Sequence, residues 1–146
     1  MKVAIGSDHA GYALKENIKK HFEQRDVNYT DLGTSSLDSV DYPDYAKKVA
    51  KTVADKKADF GIIVCGTGIG VSIAANKVKG IRAALIYNDE TAYLAKAHNN
   101  ANVITMGGRT TTTLQAIQMI ETYMQTTFEE RHQKRIDKID QIEGEK

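Results

Sequence analysis

The chain has one cysteine, one proline and no tryptophan in 146 residues. A lone cysteine excludes an intrachain disulfide framework and a cysteine-ligated zinc cluster, so Cys65 can act only as a thiol. The histidines lack metal-ligand spacing and the carboxylates are not clustered, so no metal centre is expected. No apolar run approaches the roughly 20 residues of a membrane-spanning helix. Lys2 opens an apolar strand without a signal-peptide pattern before it, so a cytoplasmic protein is expected. Charge is nearly balanced at a net +1, which gives no basic excess for nucleic acid or an anionic membrane. Repeats, low-complexity segments and linkers are lacking too, and residues 1–146 read as a single domain.

What is present is an ordinary globular composition, 41% hydrophobic and 27% charged. The pattern alternates. Lys2 to Gly6 reads as a strand, followed by a helix from about Tyr12 to Arg25 with Leu14, Ile18 and Phe22 on one face. Val27 to Leu32 is a second strand, Ser35 to Asp41 a loop, and Pro43 suits the first turn of a helix running to about Asp55. Phe60 to Cys65 is a third strand and Ile81 to Ile86 a fourth. Asp89 is expected to cap a helix ending near His98, Asn102 to Met106 is a fifth strand, and Thr113 to Gln125 is a helix. A charged helical tail begins near Glu129. Strict alternation of this kind implies a parallel sheet with helices on both faces.

The chain is organised around the third strand and its sequel, Cys65-Gly66-Thr67-Gly68-Ile69-Gly70-Val71-Ser72. Buried strand, glycine turn and helix start follow one another there, and glycines at 66, 68 and 70 are expected to allow positive φ and close approach to a ligand. The first turn of the next helix offers unpaired N–H groups and a positive dipole end, which would also stabilise a Cys65 thiolate. Nucleotide motifs do not fit. A P-loop needs Lys and Ser/Thr after its last glycine, where Val71 and Ser72 stand, and a dinucleotide fingerprint needs a third glycine where Val71 is.

Ligands of such sheets bind beyond the carboxyl ends of the strands, near the point where strand order reverses. That rule selects Asp8 and His9, Gly33 and Thr34, Cys65 to Gly70, Tyr87 and Asn88, and Gly107 to Arg109. If the first and third strands are neighbours, Asp8, His9 and Cys65 face one crevice. Each has a plainer role open to it: Cys65 as a small core residue, Asp8 and His9 as helix caps, His98 as a cation at a helix end. Arg131 and Arg135, four apart, share a helix face able to grip a phosphate, or simply a solvated one.

Taken together, Gly6-Ser7-Asp8-His9-Ala10-Gly11, Asp41-Tyr42-Pro43, Cys65-Gly66-Thr67-Gly68-Ile69-Gly70, Ala74 to Lys77, Gly80-Ile81-Arg82-Ala83, His98-Asn99 with Asn102-Val103, and Arg131-His132 with Arg135 resemble the ribose-5-phosphate isomerase B family, in order over essentially the whole chain. The resemblance implies a Rossmann-like three-layer αβα sandwich with a five-stranded parallel sheet and a C-terminal helical tail. It also implies a homodimer or dimer of dimers and a cofactor-free interconversion of ribose 5-phosphate and ribulose 5-phosphate. Members use either a cysteine before the glycine loop or a glutamate a few residues on, and this chain resembles the cysteine type. Residue by residue, Cys65 would be the base at carbon 2 and Thr67 a hydroxyl moving the proton between the oxygens. The N–H groups over Gly66, Gly68, Ile69 and Gly70 would hold the enediolate oxygen, and His98 would assist ring opening. Asp8, Asn99 and Asp41 would orient hydroxyls, while His9, Arg109, Arg131 and Arg135 would hold the phosphate. Isomerisation of galactose 6-phosphate or allose 6-phosphate is an alternative, as is a non-catalytic sugar-phosphate binder, which would need the arginines but no base.

Overall fold

In the computed structural model, which describes residues 1–145, the expected alternation is present. The order is β1 (Lys2–Ser7), α1 (Tyr12–Gln24), β2 (Asn28–Asp31), α2 (Tyr42–Ala54), β3 (Phe60–Cys65), α3 (Ile69–Ala75), β4 (Ala83–Leu85), α4 (Asp89–Ala97), β5 (Val103–Gly107) and α5 (Thr113–Gln125). A 3₁₀ turn over Glu130–His132 then leads into α6 (Gln133–Gly144). All pairings in the five-stranded sheet are parallel, in the order β2-β1-β3-β5-β4. Successive strands leave β1 in opposite directions, so the reversal of strand order lies between β1 and β3.

Each face of the sheet carries its own core. Val3, Ile5, Ile62, Val64, Ile104 and Met106 pack under α1, α4 and α5; Ala4, Ile63, Cys65 and Val103 pack under α2 and α3. This division follows from the two-residue period of the strands. β3 is buried at every position, as its unbroken β-branched run requires of a central strand. Helix faces match the sheet: Leu14, Ile18 and Phe22 of α1 are buried, as are Ala46, Val49, Ala50 and Val53 of α2.

Three expectations need correction. The residue capping α4 is Asn88, not Asp89: its side chain accepts from Thr91 N–H, and the Thr91 hydroxyl accepts from Asn88 N–H in return. Position 92, three beyond Asp89, is alanine and could return no such bond. Gly70 lies inside α3 rather than in the preceding loop, and of the three glycines only Gly68 has positive φ, at 79°. β4 begins at Ala83, two residues later than expected: the side-chain oxygen of Asn102 takes the Arg82 N–H that a longer edge strand would use.

The tail is only partly covered. Ile136 is buried, but Ile139 and Ile142 of α6 are 44% and 59% exposed and line an open groove with Ile81 and Ala83. α6 is tied to the segment before β4 by Glu143, whose carboxylate accepts from Gly80 N–H at 2.9 Å.

Candidate active site

Two loops meet where the strand order reverses. Asp8 and His9 leave β1, Cys65 ends β3, and the register pairs Ser7 with Val64, so the two strand ends lie side by side. Between them opens a cavity of about 530 Å³ lined by Asp8, His9, Tyr42, Cys65, Gly66, Thr67, Ile69, Gly70 and Arg109, with Ala10 and Ile73. Eight of the residues expected to form the site therefore meet in one place.

The donors around the thiol are local. Gly68, held at positive φ, donates its N–H to Cys65 Sγ at 3.1 Å. A side chain at 68 would be strained by that backbone and would press within 2.9 Å of the Met106 backbone, so the turn requires glycine. Ile69 N–H donates to Thr67 Oγ1 at 3.2 Å, fixing that hydroxyl beside the sulfur's loop. Gly70 sits in the first turn of α3, where N–H groups have no intrahelical acceptor. The tight fit there is against Tyr42, whose ring would lie 2.5 Å from a β-carbon at position 70.

Asp8 and His9 are held by the backbone. Asp8 is buried and accepts from Gly11 N–H at 3.0 Å through Oδ1, while the cap residue of α1 is Gly11 itself. Val40 N–H donates to His9 Nδ1 at 3.2 Å, which leaves Nε2 as the ring's donor. The same bond draws the segment before α2 over the cavity, bringing Tyr42 into its wall with Asp41 immediately before it. Across the cavity, the Arg109 guanidinium lies against Gly66, where a β-carbon would come within 3.1 Å of it. Arg109 is fixed from its backbone, which donates to Gly66 O at 3.0 Å.

Of the six other expected residues, Asp41 and Gly68 adjoin lining residues in the chain, and four lie elsewhere. His98, Asn99, Arg131 and Arg135 do not line this cavity. They gather at the amino edge of the sheet, where Asn99 O accepts from Arg82 just before β4 and Ala97 O from Glu129 N–H. The ends of β5, from Val103 beside that edge to Gly107 beside Cys65, are separated by about 13 Å at about 3.3 Å per residue. His98 and His132 stack with ring centroids 4.2 Å apart, and Arg135 approaches His132 Nδ1 at 3.3 Å. Burial, and then the charges of Arg131, His98 and Arg135, hold His132 below the usual imidazole range. Hydrogen bonds from Arg131 at 2.9 and 3.1 Å hold the Glu129 carboxyl below the usual carboxylate range. His98, Glu129 and His132 have ligand atoms within 4.8 Å of one another. With guanidinium groups bound to Glu129 and His132, that cluster is better suited to an anion than to a metal cation.

The family model described as Ribose/Galactose Isomerase matches residues 3–139. The chain belongs to that family. It is 42% identical over 143 residues to ribose-5-phosphate isomerase B of Escherichia coli, covering 97% of this chain and 96% of that one. Among solved structures, the ribose-5-phosphate isomerase B of Clostridium thermocellum superposes with a TM-score of 0.97 at 44% identity, over 99% of both chains. The Mycoplasma genitalium ribose-5-phosphate isomerase B, determined with bound ribulose 5-phosphate, superposes at 0.94 with 43% identity, over 99% of this chain and 97% of that one. The fold is thus that of the family, and the glycine loop stands at the family fold's strand-order reversal.

Tyr42 was not assigned a role by the sequence, although it belongs to the Asp41-Tyr42-Pro43 motif; its signal is the proline that starts α2 at the cavity rim. Glu129, engaged by Arg131 and 3.7 Å from His98, carried no motif at all.

Proposed function

We propose that this chain interconverts ribose 5-phosphate and ribulose 5-phosphate through a cis-enediolate, with Cys65 as the base. The observation that carries the proposal is the Cys65 sulfur at the strand end, bonded by the Gly68 N–H, in one cavity with the donors His9 and Arg109. Abstraction of a proton beside a carbonyl needs a base next to preorganised donors for the oxygen that becomes negative. In the open-chain aldose, the Cys65 thiolate takes the proton from carbon 2. The electron pair forms the carbon 1–carbon 2 double bond, and charge moves to the carbonyl oxygen. Loop N–H groups that no side chain already engages hold that oxygen. Thr67 relays a proton between the two oxygens, and return of a proton to carbon 1 leaves the ketose. No step removes electrons from the substrate overall.

The phosphate end falls to His9 and Arg109 within the chain, joined by Arg131 and Arg135. Since the latter two lie at the far edge of their own sheet with His98 and Asn99, we place them in the cavity of a second subunit. The half-exposed Ile139 and Ile142 support such a homodimer, because an apolar stripe on the tail would be covered there. Among the described residues, no helix is long and apolar enough to cross a membrane, and we place the activity in the cytoplasm.

A coupled assay with ribose 5-phosphate tests the proposal, with allose 6-phosphate as comparison; no turnover of either by the folded protein contradicts it. Charge-assisted contacts to phosphate contribute on the order of 1.5–3 kcal/mol each, so Arg135→Ala is expected to raise KM about tenfold or more. Unchanged steady-state kinetics would remove the tail from the site.

A further inference from the structure

We propose that Thr105 is a positioning residue for this reaction, its hydroxyl clamping the glycine loop so that Gly68 meets the Cys65 sulfur. The inference rests on the isomerase assignment above. Thr105 lies within β5, opposite Ile63 of β3, and is fully buried. A polar side chain in a central strand must find a partner, and the Thr105 hydroxyl donates to Gly68 O at 2.9 Å.

Gly68 is consequently held at both ends. Its N–H points to sulfur at 3.1 Å, and its carbonyl receives the threonine. The other bond to that carbonyl, from Ser72 N–H at the start of α3, is long at 3.4 Å. A glycine has more backbone freedom than any other residue, and a donor aimed at a reacting group is useful only if it does not reorient. The hydroxyl removes that freedom at the residue where the loop turns. It does so from outside the cavity, since Thr105 is not among the residues lining it. The sheet does not depend on the hydroxyl: Ile86 N–H bonds to the Thr105 backbone carbonyl at 2.9 Å.

Thr105→Val keeps the shape and removes the hydroxyl; Thr105→Ser keeps the hydroxyl and removes the methyl. Thr105→Val is expected to lower kcat about tenfold with KM changed less than about twofold, and Thr105→Ser to restore most of the kcat. Inhibition separates positioning from general loosening. Inorganic phosphate reports only the phosphate end and should bind the valine variant as it binds the wild type. Because the clamp on Gly68 also sets the adjoining loop N–H groups proposed to hold the enediolate oxygen, a phosphorylated hydroxamate, a planar mimic of the enediolate, should weaken by about the same factor as kcat. Wild-type kcat in Thr105→Val would overturn the proposal. So would an equal loss in Thr105→Ser, or equal weakening of phosphate and hydroxamate, either of which would make the residue a matter of fold stability. A folded wild-type protein that isomerises no sugar phosphate would overturn the isomerase assignment, and the role of Thr105 with it.

Discussion

Cys65→Ala is expected to lower kcat for ribose 5-phosphate by roughly 10²–10⁴, the usual contribution of a positioned general base. Among the described residues, the thiol is the one ionisable group to which the glycine loop donates directly, through Gly68 N–H. Asp8, the carboxylate lining the same cavity, has one oxygen committed to Gly11 N–H. KM should change little, because the phosphate donors His9 and Arg109 are held by other backbone contacts, from Val40 N–H and to Gly66 O. The fold should persist as well: β3 keeps its ladders to β1 and β5, and the lost sulfur is one small group in a well-packed layer. Near-normal turnover by the folded variant would show that the base lies elsewhere and that the cysteine is packing.

Mixing two crippled variants is expected to restore activity. His98 lies at the amino edge and Cys65 at the carboxyl edge, so each proposed site takes Cys65 from one subunit and His98 from the other. In a Cys65→Ala/His98→Ala heterodimer, one site carries both lesions and the other carries neither. After unfolding and refolding an equal mixture, about half the dimers are mixed and each has one intact site, so about a quarter of wild-type activity should return. Either variant alone should show only its residual rate. Activity no higher than the mean of the two parents, with mixed dimers verified by mass, would show that His98 does not complete the partner subunit's site.

The periodicity of the sequence was sufficient for the elements and for the sheet type, because buried β-branched runs and 3.6-residue apolar faces are local properties. Thr113 to Gln125 is helical over the expected residues. The glycine loop and the two strand-end motifs were legible for the same reason: each is a short contiguous string at a strand terminus. Their convergence depended on β1 being next to β3, a matter of strand order that no local pattern specifies. Gly70 was misplaced because alternating glycines look like loop until it is known that Tyr42, from a distant segment, fills the space its side chain would need. Thr105 was invisible for a related reason. Within Val103-Ile104-Thr105-Met106 it is an ordinary strand residue, and its partner lies 37 positions away. The separation of His98 from Cys65 follows from the return direction of α4, which carries its last residues to the edge opposite the strand ends, and the tail arginines lie there too because Glu129 N–H bonds to Ala97 O.

The fate of the hydrogen at carbon 2 tests the enediolate route through Cys65 most directly. Ribose 5-phosphate deuterated there, incubated with the protein in ordinary water and followed by NMR, should lose part of its label to solvent as ribulose 5-phosphate forms, because an enediolate route passes the proton through a base. Under the same conditions Cys65→Ala should lose both turnover and exchange together. Complete transfer of deuterium from carbon 2 to carbon 1, as a hydride shift would give, or undiminished exchange in Cys65→Ala, would contradict it.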